Sequence, residues 1–263
     1  MNPGKQVIVG VGISRTSYAE VTEICREWLE RRDNPALGPA RYICVTSAHG
    51  IVSSVFDAHF RAILNRADIA TPDGMPIVWA LRSFGFRSAS RVYGPTLMLK
   101  LCAMASKSSY EIFLYGGKPE VLDKLRGNLI SQFPALKIVG AYSPPFRPLT
   151  PAEHASVADM IRRSGAKFVF VGLSTPKQEY WMATQRRALP GRIIVGVGAA
   201  FDFHAKTLPQ APEWMQNAGL EWLFRLMTEP KRLWKRYLLV TPLFLPLWAL
   251  QKARFLTYRQ RNV

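Results

Sequence analysis

Cysteine is scarce in this sequence, and the few cysteines form no recognisable pattern. Cys25, Cys44 and Cys102 each lie within an apolar or helical stretch, and the chain contains no Cys-x-x-Cys pair and no Cys/His cluster. This spacing argues against a structural zinc site and against a disulfide framework. We therefore expect three buried thiols in a reducing compartment.

Long apolar runs are also missing. The first residues, MNPGKQVIVGVG, lack the apolar segment and the small-residue cleavage site of a signal peptide. The thirteen residues 238–250, LLVTPLFLPLWAL, are interrupted by Pro242 and Pro246, whereas a spanning helix needs about 20 apolar residues. These features predict a cytoplasmic protein whose C-terminal segment does not cross a membrane.

Acidic residues are too few to balance the basic ones. The 35 Lys and Arg residues against 18 Asp and Glu give a net charge of +17, which favours nucleic acid, a membrane surface or a phosphorylated substrate as partner. Signatures of a helix-turn-helix, a zinc finger or RNA-recognition aromatics are absent from the sequence. We therefore expect no nucleic-acid partner. A basic nucleic-acid-binding protein and a non-catalytic membrane-associated protein are the alternatives to an enzyme.

No cofactor or metal motif is complete. The segment GVGISR (10–15) has Arg15 where a dinucleotide fingerprint has its third glycine, and no Walker A sequence occurs. Asp57, Asp68, Asp73 and Asp202 do not pair at the short spacing of a metal-binding Asp-x-Asp. The sequence therefore predicts no cofactor and no metal. Arg and Lys remain as the groups that can stabilise a phosphate leaving group.

Strand-like and helix-like segments alternate up to residue 203. The predicted strands are 6–13, 41–48, 68–73, 109–117, 136–142, 166–174 and 192–203. The predicted helices are 17–32, 53–67, 95–107, 119–133, 150–164 and 176–189. Apolar strands without strict polar alternation are typical of a parallel sheet covered on both faces. We predict an α/β fold, with a Rossmann-like, mostly parallel sheet and flanking helices over residues 1–204. A basic amphipathic appendage, 205–263, would close the active site and associate with a membrane.

Glycines and polar residues follow several predicted strands, where open α/β sheets bind their ligands. Asp73 could act there as a general base, although a capping Asp in a turn is the alternative. Gly116 and Gly117 could let the backbone approach a phosphate, or could simply form a tight turn. Gln178 could bind a sugar or a base, whereas its neighbour Glu179 also suits the first turn of a helix.

Further candidates lie near and within the basic tail. Asp202 and His204 are polar residues in an apolar segment. One of them could belong to a ligand-binding site, or they could simply make structural hydrogen bonds. Arg225, Arg232 and Arg236 are spaced by seven and then four residues, which would place them on one face of a helix. That face would bind phosphate or be solvated. The apolar run 238–250 has basic flanks and would lie at a membrane interface, or else pack on protein.

Several longer segments carry a family resemblance. They are TPDGMPIVW (71–79), RVYGPTLML (91–99), YSPPFRPLT (142–150), VGLSTPKQEYWM (171–182) and GVGAAFDFHAKTLPQAPEWMQNAGLEWLFRLMTEPKRLWKRYL (196–238). In this order they resemble the WecG/TagA/CpsF glycosyltransferases over about residues 6–238. The resemblance implies an inverting, metal-independent transfer of a sugar from a UDP-sugar to a polyprenyl-diphosphate-linked acceptor. It implies a bacterial enzyme of cell-envelope polysaccharide synthesis, peripheral on the inner face of the cell membrane and attracted to its anionic surface.

The resemblance also assigns roles to residues. It implies that Asp73 is the catalytic base. It places nucleotide-sugar contacts at Arg91, Gln178 and Asp202. The basic appendage of the family corresponds to Arg225, Arg232, Lys235 and Arg236.

One segment departs from the family pattern. Many members carry Thr-x-Asn near the second strand end, where this chain has VTSAH, with Val45 and Ser47 at the matching positions and Thr46 offset by one. Thr46 and Ser47 stay candidates for substrate binding, but the choice of sugar is not carried over. N-acetylmannosamine, its uronic acid and a hexose such as glucose all stay open, as does a homo-oligomer.

Overall fold

The computed structural model describes residues 3–30 and 38–258. Its strands are β1 (Lys5–Ile8), β2 (Val11–Ser14), β3 (Arg41–Ser47), β4 (Ile69–Asp73), β5 (Glu111–Gly116), β6 (Lys137–Tyr142), β7 (Phe168–Gly172) and β8 (Ile193–Gly196). Its helices are α1 (Tyr18–Glu30), α2 (Ala48–Phe56), α3 (Ala58–Arg66), α4 (Met75–Ser83), α5 (Gly94–Lys107), α6 (Pro119–Gln132), α7 (Pro151–Arg163), α8 (Lys177–Gln185), α9 (Ala200–His204), α10 (Glu213–Asn217), α11 (Glu221–Thr228), α12 (Pro230–Trp234) and α13 (Phe244–Lys252). A π-helical segment, Lys235–Val240, and a 3₁₀ turn, Thr241–Leu243, lead from α12 to α13. Residues 31–32 of the first predicted helix lie outside the described residues.

The main sheet has the strand order β4-β3-β8-β7-β5-β6. The pairs β3–β8, β7–β8, β5–β7 and β5–β6 are parallel. Successive residues of β7 point to opposite faces, and Phe168, Val169, Phe170 and Val171 are all fully buried. Burial on both faces explains why these strands read as continuous apolar runs. The predicted α/β fold, a mostly parallel sheet with flanking helices, is confirmed.

The chain divides into two compact units. The first unit comprises the described residues of Tyr18–Cys44 and Gly94–Leu208, and it holds β5 to β8 with α1 and α5 to α9. The second unit comprises 3–17, Val45–Tyr93 and 209–258, and it holds β1, β2, β4, α2 to α4 and the C-terminal helices. The functional division into a core and an appendage at residue 204 stays a prediction.

In the second unit, partly buried polar side chains hold the N-terminal strands β1 and β2 in place. The Asn65 side chain accepts from the Gly12 N–H at 2.8 Å and donates to the Gly10 carbonyl at 3.0 Å. Gln251 of α13 accepts from the Val9 N–H at 2.7 Å and donates to the Val7 carbonyl at 2.9 Å. The last described helix is therefore tied to the first strands of the same unit through backbone groups that would otherwise lack partners.

The prediction of one strand over 6–13 is wrong, because this segment is a hairpin. β1 and β2 pair antiparallel, with Ile8 opposite Val11. Val9 and Gly10 between them both have positive φ, 47° and 83°. Positive φ at both central residues is typical of the type I′ turn, whose twist suits a two-residue hairpin.

The prediction of one helix over 53–67 is also wrong. The segment contains the end of α2 and the whole of α3, which begins after Asp57. Asp57 has an extended backbone, and its carboxylate accepts from the Phe60 N–H at 2.9 Å. An Asp that caps a new helix ends the preceding one, and the apolar periodicity on both sides concealed the break.

The predicted strand 192–203 ends early, at Gly196 of β8. Asp202 and His204 lie instead on the short helix α9. Gly198, between the two elements, has a φ of 55°, a left-handed conformation that glycine adopts at little cost. This turn redirects the chain from strand to helix.

All three cysteines are buried free thiols, as predicted. Burial raises the pKa of the Cys25 and Cys102 thiols above their ordinary value. Both groups are therefore protonated at neutral pH and serve as small apolar residues of the core.

Candidate active site

A pocket in the second unit brings several charged side chains together. It is lined by Ser47, Ala48, His49, Asp73, Gly74, Met75, Pro76, Arg91, Gln216, Gly219, Glu221, Trp222, Arg225, Arg236, Tyr237 and Thr241. Four candidates from the sequence, namely Ser47, Asp73, Arg91 and Arg225, are brought together here with a fifth, Arg236. Carboxylates and guanidinium groups thus face one cavity, so a candidate general base lies close to groups that bind anions.

Asp73 is placed by a strand-to-helix junction. It is the last residue of β4, and α4 begins two residues later at Met75. Gly74 between them has a φ of 105°, a conformation that side-chain-bearing residues rarely adopt. The Asp-Gly pair therefore ends the buried strand and leaves the carboxylate at the pocket, with 22% of the side chain exposed.

One guanidinium group lies between two carboxylates in this pocket. Arg91 Nη2 is 2.5 Å from Glu221 Oε2 and 3.3 Å from Asp73 Oδ1, and Arg91 Nε is 3.4 Å from the same Asp73 oxygen. The guanidinium carbon lies 4.1 Å from the centre of the Tyr93 ring. Arg91 therefore has its closest contact with Glu221 and a longer one with Asp73.

The surroundings of Asp73 favour its protonated form. Burial raises the pKa of this carboxyl above its ordinary value, Arg91 opposes the rise, and the negative charge of Glu221 adds to it. A carboxylate with a raised pKa is a stronger base than an exposed one, which suits an acceptor of protons near neutral pH.

Two arginines bring positive charge to the same pocket. Arg225 lies on α11 with 13% of its side chain exposed, and Arg236 lies in the π-helical segment with Nη2 at 3.5 Å from Ser47 Oγ. Arg236 Nε is buried and has no hydrogen-bond partner within the described residues. Burial lowers the pKa of Arg236, so an anion that entered the pocket would relieve an unfavourable buried charge.

The first residues of α2 and its N-cap, Ser47, also line the pocket. Ser47 is its N-cap, and its hydroxyl accepts from the Gly50 N–H at 3.3 Å. His49 lies in the first turn; burial, reinforced by the Arg236 charge, lowers its pKa to about 4. The imidazole is therefore neutral at physiological pH, and the helix N-terminus adds partial positive charge. Thr46, the other candidate from this loop, is a buried residue of β3 that does not line the pocket.

The predicted single helical face of Arg225, Arg232 and Arg236 is not formed. α11 ends at Thr228, α12 starts at Pro230, and a π-helical segment follows from Lys235. The proline cannot continue the ladder of the preceding helix, and the chain turns there. Arg225 and Arg236 still reach the pocket, whereas Arg232 is half exposed and pairs with Glu229 at 2.5 Å. Lys235 is exposed and does not line the pocket.

The remaining candidates belong to the first unit. Gln178 is 3% exposed and donates to Glu179 Oε1 at 2.9 Å, which also accepts from Thr175 Oγ1 at 3.0 Å. Gln178 Oε1 has no hydrogen-bond partner among the residues that the structure describes. A Cβ added at Gly196 would lie 3.1 Å from the Gln178 amide nitrogen. This buried amide therefore has an unused acceptor beside a glycine-rich strand end.

Glycine is also required where β5 ends. Gly116 has a φ of 115°, and a Cβ there would lie 2.6 Å from the Gly172 carbonyl oxygen. A Cβ at the following Gly117 would lie 3.5 Å from the Phe201 ring. Asp202, on α9, accepts from the Thr207 N–H through its backbone carbonyl at 2.9 Å. Whether all these strand ends meet at one edge with Asp73 stays a prediction.

Sequence reasoning missed two residues that line the pocket, Glu221 and His49. Glu221 lies in LEWLFRL, where it is an acidic residue among basic and apolar ones. That contrast could have marked it as a candidate site residue. His49 lies in VTSAH, directly after a predicted strand end. Neither residue lies near the other pocket residues in a recognisable sequence motif. Their place in the pocket becomes visible only when distant segments of the chain meet.

Carboxylates and arginines that meet in one pocket beside a strand end of an α/β protein are typical of enzymes that act on phosphorylated substrates. The comparison with protein families agrees. The sequence model of the Glycosyl transferase WecG/TagA/CpsF family matches residues 6–258, nearly the whole chain. The chain belongs to this family of glycosyltransferases, which act in cell-surface polysaccharide synthesis.

Proposed function

We propose that the chain is an inverting glycosyltransferase that moves a sugar from a UDP-sugar to a polyprenyl-diphosphate-linked saccharide. The sugar is N-acetylmannosamine, its uronic acid or a hexose such as glucose, and the product enters exopolysaccharide, teichoic acid or surface-antigen assembly. The observation that carries the proposal is the presence of the Asp73 carboxylate in one pocket with Arg225 and Arg236.

The reaction is a single displacement. Asp73 accepts the proton of the acceptor hydroxyl, whose oxygen attacks the anomeric carbon of the donor sugar. The bond from that carbon to the diphosphate oxygen breaks as the new glycosidic bond forms, and UDP leaves with the bonding electrons. Because attack and departure occur on opposite faces of the carbon, the configuration is inverted.

Negative charge develops on the diphosphate as UDP leaves. Arg225 and Arg236 line the pocket, and guanidinium groups match phosphate oxygens in shape and charge. Prepositioned cations lower the barrier most where charge appears in the transition state. We therefore assign leaving-group stabilisation to Arg225 and Arg236, and propose that no metal is required.

The first unit contains the other residues predicted to bind the nucleotide sugar. Gln178 supports this assignment through its buried, unused acceptor oxygen, which can receive a hydrogen bond from a sugar or a base. Gly116, Gly117, Glu179 and Asp202 are assigned to the same ligand.

A donor screen with and without a chelator tests the proposed reaction. We expect release of UDP from one of UDP-N-acetylmannosamine, its uronic acid or UDP-glucose when a short-chain polyprenyl-diphosphate sugar is present. The rate should be the same in EDTA, since the arginines supply the positive charge. Reactions without acceptor provide the background. A rate that EDTA abolishes and added Mg²⁺ restores would contradict the metal-free mechanism.

The acceptor is a membrane lipid, and the C-terminal segment offers a surface for the membrane. Trp248 donates to Ser83 Oγ at 3.3 Å, which ties one side of α13 to its own unit. Leu238, Leu239, Leu245 and Leu250 are exposed, with basic residues before and after them in the sequence. No helix in the described ranges has both the length and the apolar character needed to cross a bilayer. We propose that this surface lies at the anionic inner face of the cell membrane.

Changing Leu238 and Leu239 together to Glu should weaken membrane binding strongly. Each leucine that enters the interface contributes about 1.5 kcal/mol, so we expect a loss on the order of 100-fold. The measurement is flotation with phosphatidylcholine vesicles, with and without phosphatidylglycerol, across a salt series. Wild-type binding should need the anionic lipid and decline as salt increases.

The matched control is Ile130→Glu, an exposed apolar position on α6 of the first unit. It should float like the wild type. Equal flotation of the leucine variant would place the apolar surface against protein instead. Specific binding to duplex DNA in the same salt series would favour the nucleic-acid alternative.

A further inference from the structure

Two carboxylates compete for one guanidinium group in the pocket. Glu221 holds Arg91 Nη2 at 2.5 Å, whereas Asp73 Oδ1 lies 3.3 Å from the same nitrogen. The side chains of Arg91, Asp73 and Glu221 are 16%, 22% and 12% exposed. At this depth ion pairs are screened less than on the surface, so the difference between the two distances matters energetically.

The shorter contact determines what Asp73 can do. A carboxylate in a close pair with arginine is stabilised in its charged form and becomes a weak base. If Arg91 paired closely with Asp73, Asp73 would be a weaker base and would accept the proton of an acceptor hydroxyl less readily. In the observed geometry the closer contact of Arg91 is with Glu221, and Asp73 has only the two longer contacts at 3.3 and 3.4 Å.

We propose that Glu221 is a positioning residue that keeps Arg91 from pairing more closely with Asp73 and thereby keeps Asp73 an effective base. The catalytic part of this inference, that Asp73 acts as the base, rests on the proposed function. Its structural part, the control of Asp73 by Glu221 through Arg91, can be tested without turnover.

The position of Glu221 suits this role. It is the first residue of α11, where the helix N-terminus stabilises a negative charge. The Tyr93 ring covers one face of the Arg91 guanidinium group at 4.1 Å, which favours its present position. A purely structural role would be helix-terminus stabilisation alone, and that role would leave the titration of Asp73 unchanged.

The charged groups around Asp73 come from several elements. Arg91 precedes α5, Glu221 begins α11, and Arg236 lies in the π-helical segment; all three influence the pKa of Asp73. Arg225 and His49 line the same pocket. Burial, followed by the Glu221 and Asp73 charges, raises the pKa of Tyr93, so the phenol stays neutral. Glu221 is the group among them whose charge raises the pKa of Asp73.

Glu221→Gln removes the charge and keeps the shape. Arg91 should then pair more closely with Asp73, and the pKa of Asp73 should fall. The acidic limb of the kcat profile should move to lower pH by the same amount, because deprotonated Asp73 persists further into acid. The plateau should drop about 3- to 10-fold, since the base is weaker. Glu221→Asp, which keeps the charge, should restore most of the difference.

The direct measurement is carboxyl NMR on protein labelled with ¹³C at the aspartate side-chain carboxyl carbon. The chain has seven aspartates, and the Asp73 signal is identified by its loss in Asp73→Asn. Glu213→Gln is the matched control, an exposed acid in the first turn of α10 that does not line the pocket. It should change neither the Asp73 midpoint nor the kcat profile.

The outcomes separate this inference from the proposed function. An Asp73 midpoint that is unchanged or higher in Glu221→Gln overturns the inference, whatever the activity. A lowered midpoint supports it even if wild-type protein transfers none of the tested sugars, a result that would count against the proposed function alone. A loss of kcat with an unmoved acidic limb and an unmoved midpoint would assign Glu221 a structural role.

Discussion

Asp73→Asn should lower kcat by about 10²- to 10⁴-fold, the range typical of losing a positioned general base. The amide keeps the shape of the carboxylate and can still accept a hydrogen bond from Arg91, which now contacts Asp73 Oδ1 at 3.3 Å. What it cannot do is take up the acceptor proton near neutral pH. The measurement is the rate of UDP release with saturating donor and acceptor, together with a melting curve for each variant.

The control for this substitution is Asp123→Asn, an exposed aspartate on α6. It makes the same chemical change away from the pocket and should leave kcat as it is. Because burial raises the pKa of Asp73, wild-type activity should also decline with falling pH at a value above the ordinary carboxyl range. A folded Asp73→Asn protein with near-normal transfer would show that another group accepts the proton.

Arg225→Ala and Arg236→Ala should each reduce kcat by about 10²-fold or more, since each removes a cation from the site where leaving-group charge develops. Lysine at either position should recover part of the loss, because it restores the charge without the two-pronged geometry. Effects on KM should be smaller than those on kcat if the contact strengthens in the transition state. Initial rates over a range of donor concentrations provide both constants.

Two comparisons make the arginine result specific. Arg163→Ala, at an exposed position on α7 paired with Asp159, controls for the loss of one positive charge and should behave as wild type. The double variant of Arg225 and Arg236 should cost less than the product of the single losses, because both arginines act on one diphosphate. Unchanged kcat in both single variants would remove the arginines from leaving-group stabilisation.

Much of this protein could be predicted from the sequence, because the information was local. The alternation of apolar strands and helices predicted the α/β fold, since a buried parallel strand must be apolar on both faces. Asp73 was identified because the Asp-Gly pair follows an apolar run, and such a pair is a strong sign of a chain turn. Gly116 was selected on similar grounds, and its φ of 115° shows why glycine stands there.

The local breaks were harder to predict. Val9 and Gly10 form a hairpin turn inside a run that is apolar throughout. Asp57 ends one helix and caps the next within a continuous helical periodicity. In both places the hydrophobic pattern continues although the backbone changes direction. A prediction from periodicity relies on the hydrophobic pattern and therefore does not detect the break.

By itself, the sequence determined the fold class, the strand-end carboxylate and the supply of basic side chains in the tail. The tertiary structure alone decided which of those side chains reach the pocket: Arg225 and Arg236 line it, whereas Arg232 is half exposed. It also decided that Glu221, 130 residues from Arg91, holds that arginine more closely than Asp73 does. The physical reason is that the strength of an ion pair depends on differences of less than about 1 Å in the distance between charged groups. When those groups are far apart in the chain, sequence spacing carries no such information.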